Sequence, residues 1–180
     1  MDLDFFNRIE KENEYKKYLV FHIGHVEEAF HRLIEPLKGK YDKETDDAII
    51  ACGVNLTLHD LSKLSKEEFD FYRRHFYPTD AEKKEKEDES LFDKAWEHHH
   101  QNNPHHVYYW VHGDEKQEMP LEFIFEMLCD WSSVSQWYDT SLVSWYDKDA
   151  KEEKEAFAPN TRKIVDFWVD ELFRKPKLKF

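Results

Sequence analysis

Imidazoles and carboxylates at helical spacings, with a lysine beside one pair, are the groups in this sequence that could do chemistry together. The pivotal stretch is Leu58-His59-Asp60-Leu61-Ser62-Lys63, which closes an apolar helical segment. Adjacent side chains diverge by about 100° on a helix, so His59 and Asp60 can serve one ion only where the helix ends or where other helices add ligands. His22 is placed to help. It follows Leu19 by three residues and precedes Val26 by four, which puts it on the inner stripe of its own helix. Asp130 stands in the same relation to Met127 and Val134, and a carboxylate buried there must be paired, protonated or metal-bound. Between Asp60 and Asp130 runs Glu97-His98-His99-His100-Gln101-Asn102-Asn103-Pro104-His105-His106. His98 and His100 point about 100° either side of His99, so the three cannot share one ion. They are expected as supporting or solvated groups.

His22, His59, Asp60 and Asp130 together predict a divalent transition metal, Mn, Fe, Co, Ni or Zn, in one or two copies. A mixed imidazole and carboxylate set argues against a thiolate structural zinc site, and Mg alone would want more oxygen. His99, His105 and His106 are further candidates to bind an ion or to support its ligands, or else form a hydrogen-bond network that stabilises their loop. Lys63 is a candidate for stabilising developing negative charge, or else a partner of Asp60. Of the other histidines on the first helices, His25 lies at the border of the inner stripe and His31 towards the polar face.

The elements that must position these groups read as helices. Asp2 can cap a short helix with Phe5, Phe6 and Ile9 on one face. A longer one is expected from about Asn13 to Leu37, with Leu19, Ile23, Val26, Phe30, Leu33, Ile34 and Leu37 as its stripe, closed by Pro36 and Gly39. The next spans about Lys43 to Leu58 and delivers His59-Asp60 inwards. Ser65-Lys66-Glu67-Glu68 reads as a capping box for a helix to about Phe76, with Arg73 and Arg74 as substrate contacts or solvated face. Residues 78–89 form a charged connection or a lid. A helix led by Leu91, Phe92, Ala95 and Trp96 enters the histidine run and stops near Pro104. Residues 107–111 are expected as irregular or helical packing and 112–116 as a loop. Pro120 opens a helix to Tyr138 whose stripe is Phe123, Met127, Asp130, Val134 and Trp137. After a short apolar piece at 141–146 and a charged connector at 147–155, Asn160 is expected to cap a last helix bearing Ile164, Phe167, Trp168, Leu172 and Phe173, before a basic tail from Arg174 to Lys179.

With 180 residues, 16% aromatic and only 4 Gly, the chain suits one all-α bundle of about six to eight helices. Its core is expected at about 13–140, with 141–180 as a helical extension packed on it. The formal charge of −13 repels nucleic-acid backbones and anionic membranes. No apolar run approaches the ~20 residues of a membrane span, and the acidic N-terminus is unlike a signal peptide. Cys52 and Cys129 fall in apolar helical patterns and read as reduced core residues of a cytoplasmic protein. Eleven histidines exceed ordinary usage and need the explanation offered above.

The order His22 in His-Ile-Gly-His-Val, then His59-Asp60, then Asp130 in Leu-Cys-Asp-Trp resembles the HD-domain superfamily of metal-dependent phosphohydrolases. Asp60-Leu-Ser-Lys63 looks like the His-Asp-x-Gly-Lys of its HD-GYP branch, where extra histidines build a second metal position; the resemblance implies that role for His99, His105 and His106, or a catalytic one in positioning a phosphate or protonating a leaving oxygen, although the Gly-Tyr-Pro signature is absent. His-Asp-Leu-Ser-Lys-x-Ser, Ala-Trp-x-His-His, Asn-x-His-His and Glu-Met-Leu-Cys-Asp-Trp are similar, over about residues 18–138, to a family of bacterial and phage proteins of unknown function with an HD-like fold. The resemblance implies an HD-like bundle and hydrolysis of a small phosphate ester, with a nucleotide as the substrate class. It also leaves two other classes open: an HD-type diiron oxygenase, and a metal- or nucleotide-binding regulatory protein without turnover. The aromatic last helix could cover a second copy of the chain as well as its own core.

Overall fold

The computed structural model describes residues 3–84 and 89–175, and about three-quarters of them are helical. The charged connection at 78–89 is therefore described only in part, and the Asp2 cap and most of the basic tail lie outside the described residues.

Helix α1 runs unbroken over Leu3–Ala29. The boundary expected near Asn13 is absent for a local reason. Residues 8–17 contain no Gly or Pro and are tied by Arg8–Glu12 at 3.1 Å and Lys11–Glu14 at 2.8 Å, pairs that support helix propagation. Its inner stripe is Tyr15, Leu19, His22, Val26 and Ala29. The helix loosens into a π turn over Phe30–Ile34 and stops at Gly39, whose φ of +74° suits a residue without Cβ. Helix α2, Lys43–Asn55, is capped by Asp42, whose side chain accepts from the Thr45 amide at 2.9 Å.

Helix α3 is Phe69–Phe76 and starts later than the capping box predicts. Ser65 Oγ is buried without a partner, and the Glu68 carboxylate reaches imidazoles instead of its own helix end. Helix α4 covers Glu89–Asn102. A 3₁₀ turn, Val107–Trp110, leads into a two-residue hairpin of β1, Val111–His112, and β2, Glu115–Lys116, where a loop was expected. Helix α5, Leu121–Trp137, is the central rod. It packs against both α1 and α2, so its buried arc is wide and centred on Ile124, Phe125 and Leu128. Val134 and Trp137, expected inside, are 39% and 56% exposed.

The charged connector is itself helical, as the end of α6, Leu142–Lys148, and as α7, Lys151–Ala156. Helix α8, Pro159–Val169, is entered through Ala158, and Asn160 does not cap it. Pro159 takes the first helical position, where its missing N–H costs nothing, and Glu118 accepts from the Asn160 and Thr161 amides at 3.3 and 2.6 Å. Two apolar clusters result. The larger joins Val26, Ile49, Phe125 and Leu128 to Tyr146, Val165 and Trp168 of the C-terminal helices. The smaller gathers Tyr15, Leu19, Tyr72 and Ala95. His22 lies on α1 between Leu19 of one cluster and Val26 of the other, so the polar residues occupy the seam between them. Both cysteines are buried and unpaired, and no helix among the described residues is long and apolar enough to cross a membrane.

Candidate metal centre

The backbone solves the divergence of His59 and Asp60 by leaving the helix. After a 3₁₀ turn at Leu56–Leu58, His59 is extended at φ −52°, ψ 125°. Asp60 then takes φ 58°, ψ 11° in the left-handed region, where a non-glycine residue costs about 1 kcal/mol or more and persists only when its surroundings hold it. A second 3₁₀ turn, Leu61–Leu64, follows and places Lys63 back over the carboxylate. The bend turns both side chains into the seam, where His59 and Asp60 are each 2% exposed.

Four imidazoles face the two oxygens of Asp60. Oδ2 lies 3.2 Å from His22 Nε2 and 3.8 Å from His59 Nε2. Oδ1 lies 3.2 Å from His99 Nε2 and 3.6 Å from His105 Nε2. Asp130 Oδ1 joins the first pair at 3.3 Å from His22 Nε2, and His106 Nε2 joins the second at 3.0 Å from His99 Nε2. Two atoms bound to one ion at ~2.1 Å can be at most ~4.2 Å apart, and all six separations fit that limit. Asp60 thus lies between His22, His59 and Asp130 on one side and His99, His105 and His106 on the other; the groups whose potential ligand atoms lie within 4.8 Å of one another are Asp60, His99, His105 and His106, then His22, His59 and Asp60, and a third, His59, His105 and Asp130, that crosses between the two sides.

The opposite edges of the rings are fixed by carboxylates. Glu126 Oε1 lies 2.9 Å from His59 Nδ1 and 3.2 Å from His105 Nδ1. Glu68 lies 2.9 Å from His99 Nδ1 and 2.7 Å from His98 Nδ1, and accepts from Ser62 at 3.0 Å. Such contacts set the tautomer and leave Nε2 with a lone pair turned inward, the arrangement that metal-binding histidines use. His22 Nδ1 has Ser133 Oγ at 3.4 Å.

His59 Nε2, His105 Nε2, Asp60 Oδ1 and Asp130 Oδ1 are all buried and make no well-formed hydrogen bond. Buried polar atoms are almost always satisfied, so four orphans in one cluster of imidazoles and carboxylates are what a site that could hold a metal ion would leave. The charges agree. Burial works against ionised Asp60, but Lys63, His59 and His22 outweigh it and hold its pKa well below the usual carboxylate range. Asp130, Glu126 and Glu68 are likewise lowered, against burial, by the histidines they face. Burial opposes charge on His22, yet Asp130 and Asp60 raise it to about 9, and Asp60 and Glu68 raise His99. Burial lowers His105 and His106, leaving them neutral donors. Even with Lys63, His22 and His99 all charged, four carboxylates leave the cluster negative. The donors are nitrogen and oxygen only, since Cys52 and Cys129 belong to the larger apolar cluster, so the set suits a divalent transition metal.

The structure therefore gathers His22, His59, Asp60, Lys63, His99, His105, His106 and Asp130 into one site. Lys63 Nζ is 2.7 Å from Asp60 Oδ2 and lies over the Tyr72 ring. His98 supports Glu68. His100 is half-buried with Nδ1 unpartnered, and His31 pairs with Glu35 at the surface. Arg73 is neither solvated nor near the centre. It is fully buried in a separate ion cluster, discussed below. Glu126 and Glu68 escape the sequence reading. Glu126 sits four residues before Asp130, an acidic residue inside an apolar run, which is the same signal that marks Asp130. Glu68 is masked by its fit to a capping box.

Two cavities reach the centre. One, of about 240 Å³, opens at His22 and is walled by Tyr18, Phe21, Trp137 and Tyr138, with His25 at its edge. Tyr18 stacks on the His22 ring at 6.0 Å and 11°. The other, of about 230 Å³, reaches His105 and His106.

The fold and the site define a class: an all-α bundle with a buried histidine and carboxylate cluster that could hold metal ions. Within that class, the chain belongs to a family of unknown function (DUF5662), which matches residues 11–171. No curated protein and no solved structure matches it.

Proposed function

We propose that this protein is a metal-dependent phosphohydrolase that cleaves a small phosphate ester, such as a nucleotide, at a metal centre that Asp60 would help to hold. The observation that carries the reading is the convergence of buried, unpartnered imidazole and carboxylate atoms on Asp60. The likeness of His22, His59-Asp60 and Asp130 to HD-domain phosphohydrolases supports it. His22, His59, Asp60 and Asp130 would hold one ion, and Asp60, His99, His105 and His106 the other. Divalent ions bound there supply a water of lowered pKa and offset the charge on phosphoryl oxygens.

The chain's own groups do the rest. Glu126 and Glu68 keep three Nε2 lone pairs facing inward before substrate arrives, so no reorganisation is needed during reaction. Lys63 stays charged because Asp60 outweighs its burial, and at 2.7 Å from that carboxylate it is placed to offset charge building on a phosphoryl oxygen. The cleft at His22 offers aromatic faces to the organic part of the ester, a base-sized ring included.

The decisive experiment is metal analysis of the purified protein, followed by a phosphatase and phosphodiesterase screen over aryl phosphates and a nucleotide panel with Mn, Co, Ni and Mg. Metal-dependent release of phosphate or alcohol that Asp60→Asn abolishes is expected. A coloured iron protein that consumes oxygen without releasing phosphate would sink the proposal in favour of an oxygenase. Retained metal without turnover on any ester would sink it in favour of a binding role.

A further inference from the structure

The second cavity has no lining residue in common with the aromatic cleft. Its aromatic walls are Trp96 of α4, Tyr108 of the 3₁₀ turn and Trp131 of α5. The Trp96 and Tyr108 rings stand 5.8 Å apart at 54°, and Trp131 is braced by an edge contact to Trp145 at 4.9 Å and 70°. Trp131 is anchored by that contact, while Trp96, 41% exposed, and Tyr108 rest on the His100 ring at 3.6 and 5.4 Å.

Glu153 of α7 lines the same cavity. It is half-buried and makes no ion pair or side-chain hydrogen bond among the described residues. Its neighbour Lys154 does not neutralise it, since that ammonium lies over the Tyr146 ring at 4.2 Å. A half-buried carboxylate against aromatic rings, with no cation of its own, loses hydration without compensation. The Tyr108 hydroxyl registers the same field: burial first, then Glu153 and Glu152, raise its pKa. His100 also lines the space, and its buried Nδ1 has no partner.

An anion would meet Glu153 and the faces of three π systems, all repulsive. An inorganic cation would find one carboxylate where it needs several oxygens. An organic cation satisfies every wall at once, because ring faces attract positive charge, a carboxylate supplies the counter-charge and alkyl groups fill the apolar volume. We propose that Trp96, Tyr108, Trp131 and Glu153 form a binding site for a small organic ammonium ion. Its floor is His105 and His106, so an occupant would sit next to the second set of donors.

The test uses choline and its uncharged carbon isostere as probes of the full-length, metal-loaded protein, followed by tryptophan fluorescence and saturation-transfer NMR. Saturable choline binding at least ~10-fold tighter than the isostere is expected. Glu153→Gln and Trp96→Ala should each weaken choline by ~10-fold or more, while Trp137→Ala in the other cleft leaves it unchanged. Asp60→Asn, which abolishes the proposed reaction, should still bind choline, so failure of the hydrolase reading and failure of this one are distinguishable. Equal binding of choline and the isostere would reveal a merely apolar pocket and overturn the proposal. So would choline binding that survives Glu153→Gln, or that vanishes with Asp60→Asn.

Discussion

Two clusters of buried charge, one around Arg73 of α3 and one around Asp60, are built on opposite principles. Around Arg73, donors and acceptors match. Its guanidinium grips Glu82 through two bonds of 2.5 and 2.8 Å and Asp70 through a third of 2.7 Å. Glu82 also accepts from the Thr79 amide at 2.8 Å, and Thr79 Oγ1 accepts in turn from the Glu82 amide at 3.2 Å. Only Arg73 Nε lacks a partner. Around Asp60, by contrast, donors and acceptors do not match. Carboxylates outnumber cations, and four buried atoms have no hydrogen bond to complete. Both arrangements bury ionised groups, but only the second would be improved by adding a cation. Burial of charge alone therefore says little about function; its local balance of donors and acceptors says a good deal.

The sharpest way to break this contrast is Asp60→Asn. On the proposed reading an amide in place of the Asp60 carboxylate removes a ligand that both sets of donors would share, so metal content by mass spectrometry should fall to background and any hydrolysis with it. Retention of a full complement of metal in that variant would mean that the Asp60 cluster is as self-sufficient as the Arg73 one. The mirror experiment is Arg73→Met. Breaking a buried ion pair costs about 3–5 kcal/mol, and here the lower end is expected because Glu82 and Asp70 keep some contact with water. Chemical denaturation should register that loss while metal stoichiometry stays at the wild-type value. A drop in both would couple the two clusters.

Glu126→Gln asks how much of the site depends on its outer carboxylates. The amide preserves shape and still has an oxygen to accept a ring N–H, but it loses the charge that holds His59 and His105. Metal affinity should fall about 10–100-fold, read as a shift in a chelator competition curve. Unchanged affinity would demote Glu126 to a packing residue.

What the sequence made legible follows from how each residue announces itself. His22 and Asp130 are polar residues at positions where a helical stripe demands apolar ones, and that conflict can be seen without coordinates. The helical class was equally plain, because low Gly and Pro content and stripes at steps of three and four leave few alternatives. The left-handed turn at Asp60 was invisible, since nothing in an Asp-Leu pair marks φ 58°. Glu68 was hidden by a plausible local role at a helix start that tertiary contacts to His98 and His99 override. The phase of α5 was misjudged because a helix gripped from two sides has no single stripe. Arg73 was misread for a related reason: its partner Glu82 sits in a charge-rich connection that, by composition, reads as solvated.

That connection carries the smallest effect and the finest distinction between the clusters. Hydrogen bonds from Arg73 and the Thr79 amide lower the pKa of Glu82 from the ordinary 4.5 to about 2. A carboxylate depressed on folding adds stability at pH values above its unfolded pKa, and that stability is lost as the pH falls through the folded one. Wild type should therefore exceed Glu82→Gln in unfolding free energy at neutral pH, and the gap should close between about pH 4.5 and pH 2. Its size should be only about 1 kcal/mol, because water reaches part of the Glu82 side chain and screens the pair. The same titration with and without metal separates the two designs. A closed ion cluster must show the same gap in both states, since it exchanges nothing with the ion. A gap that changes on chelation would show that the Arg73 cluster is a support of the metal centre, and the division between a self-satisfied lock and an open ligand set would have to be redrawn.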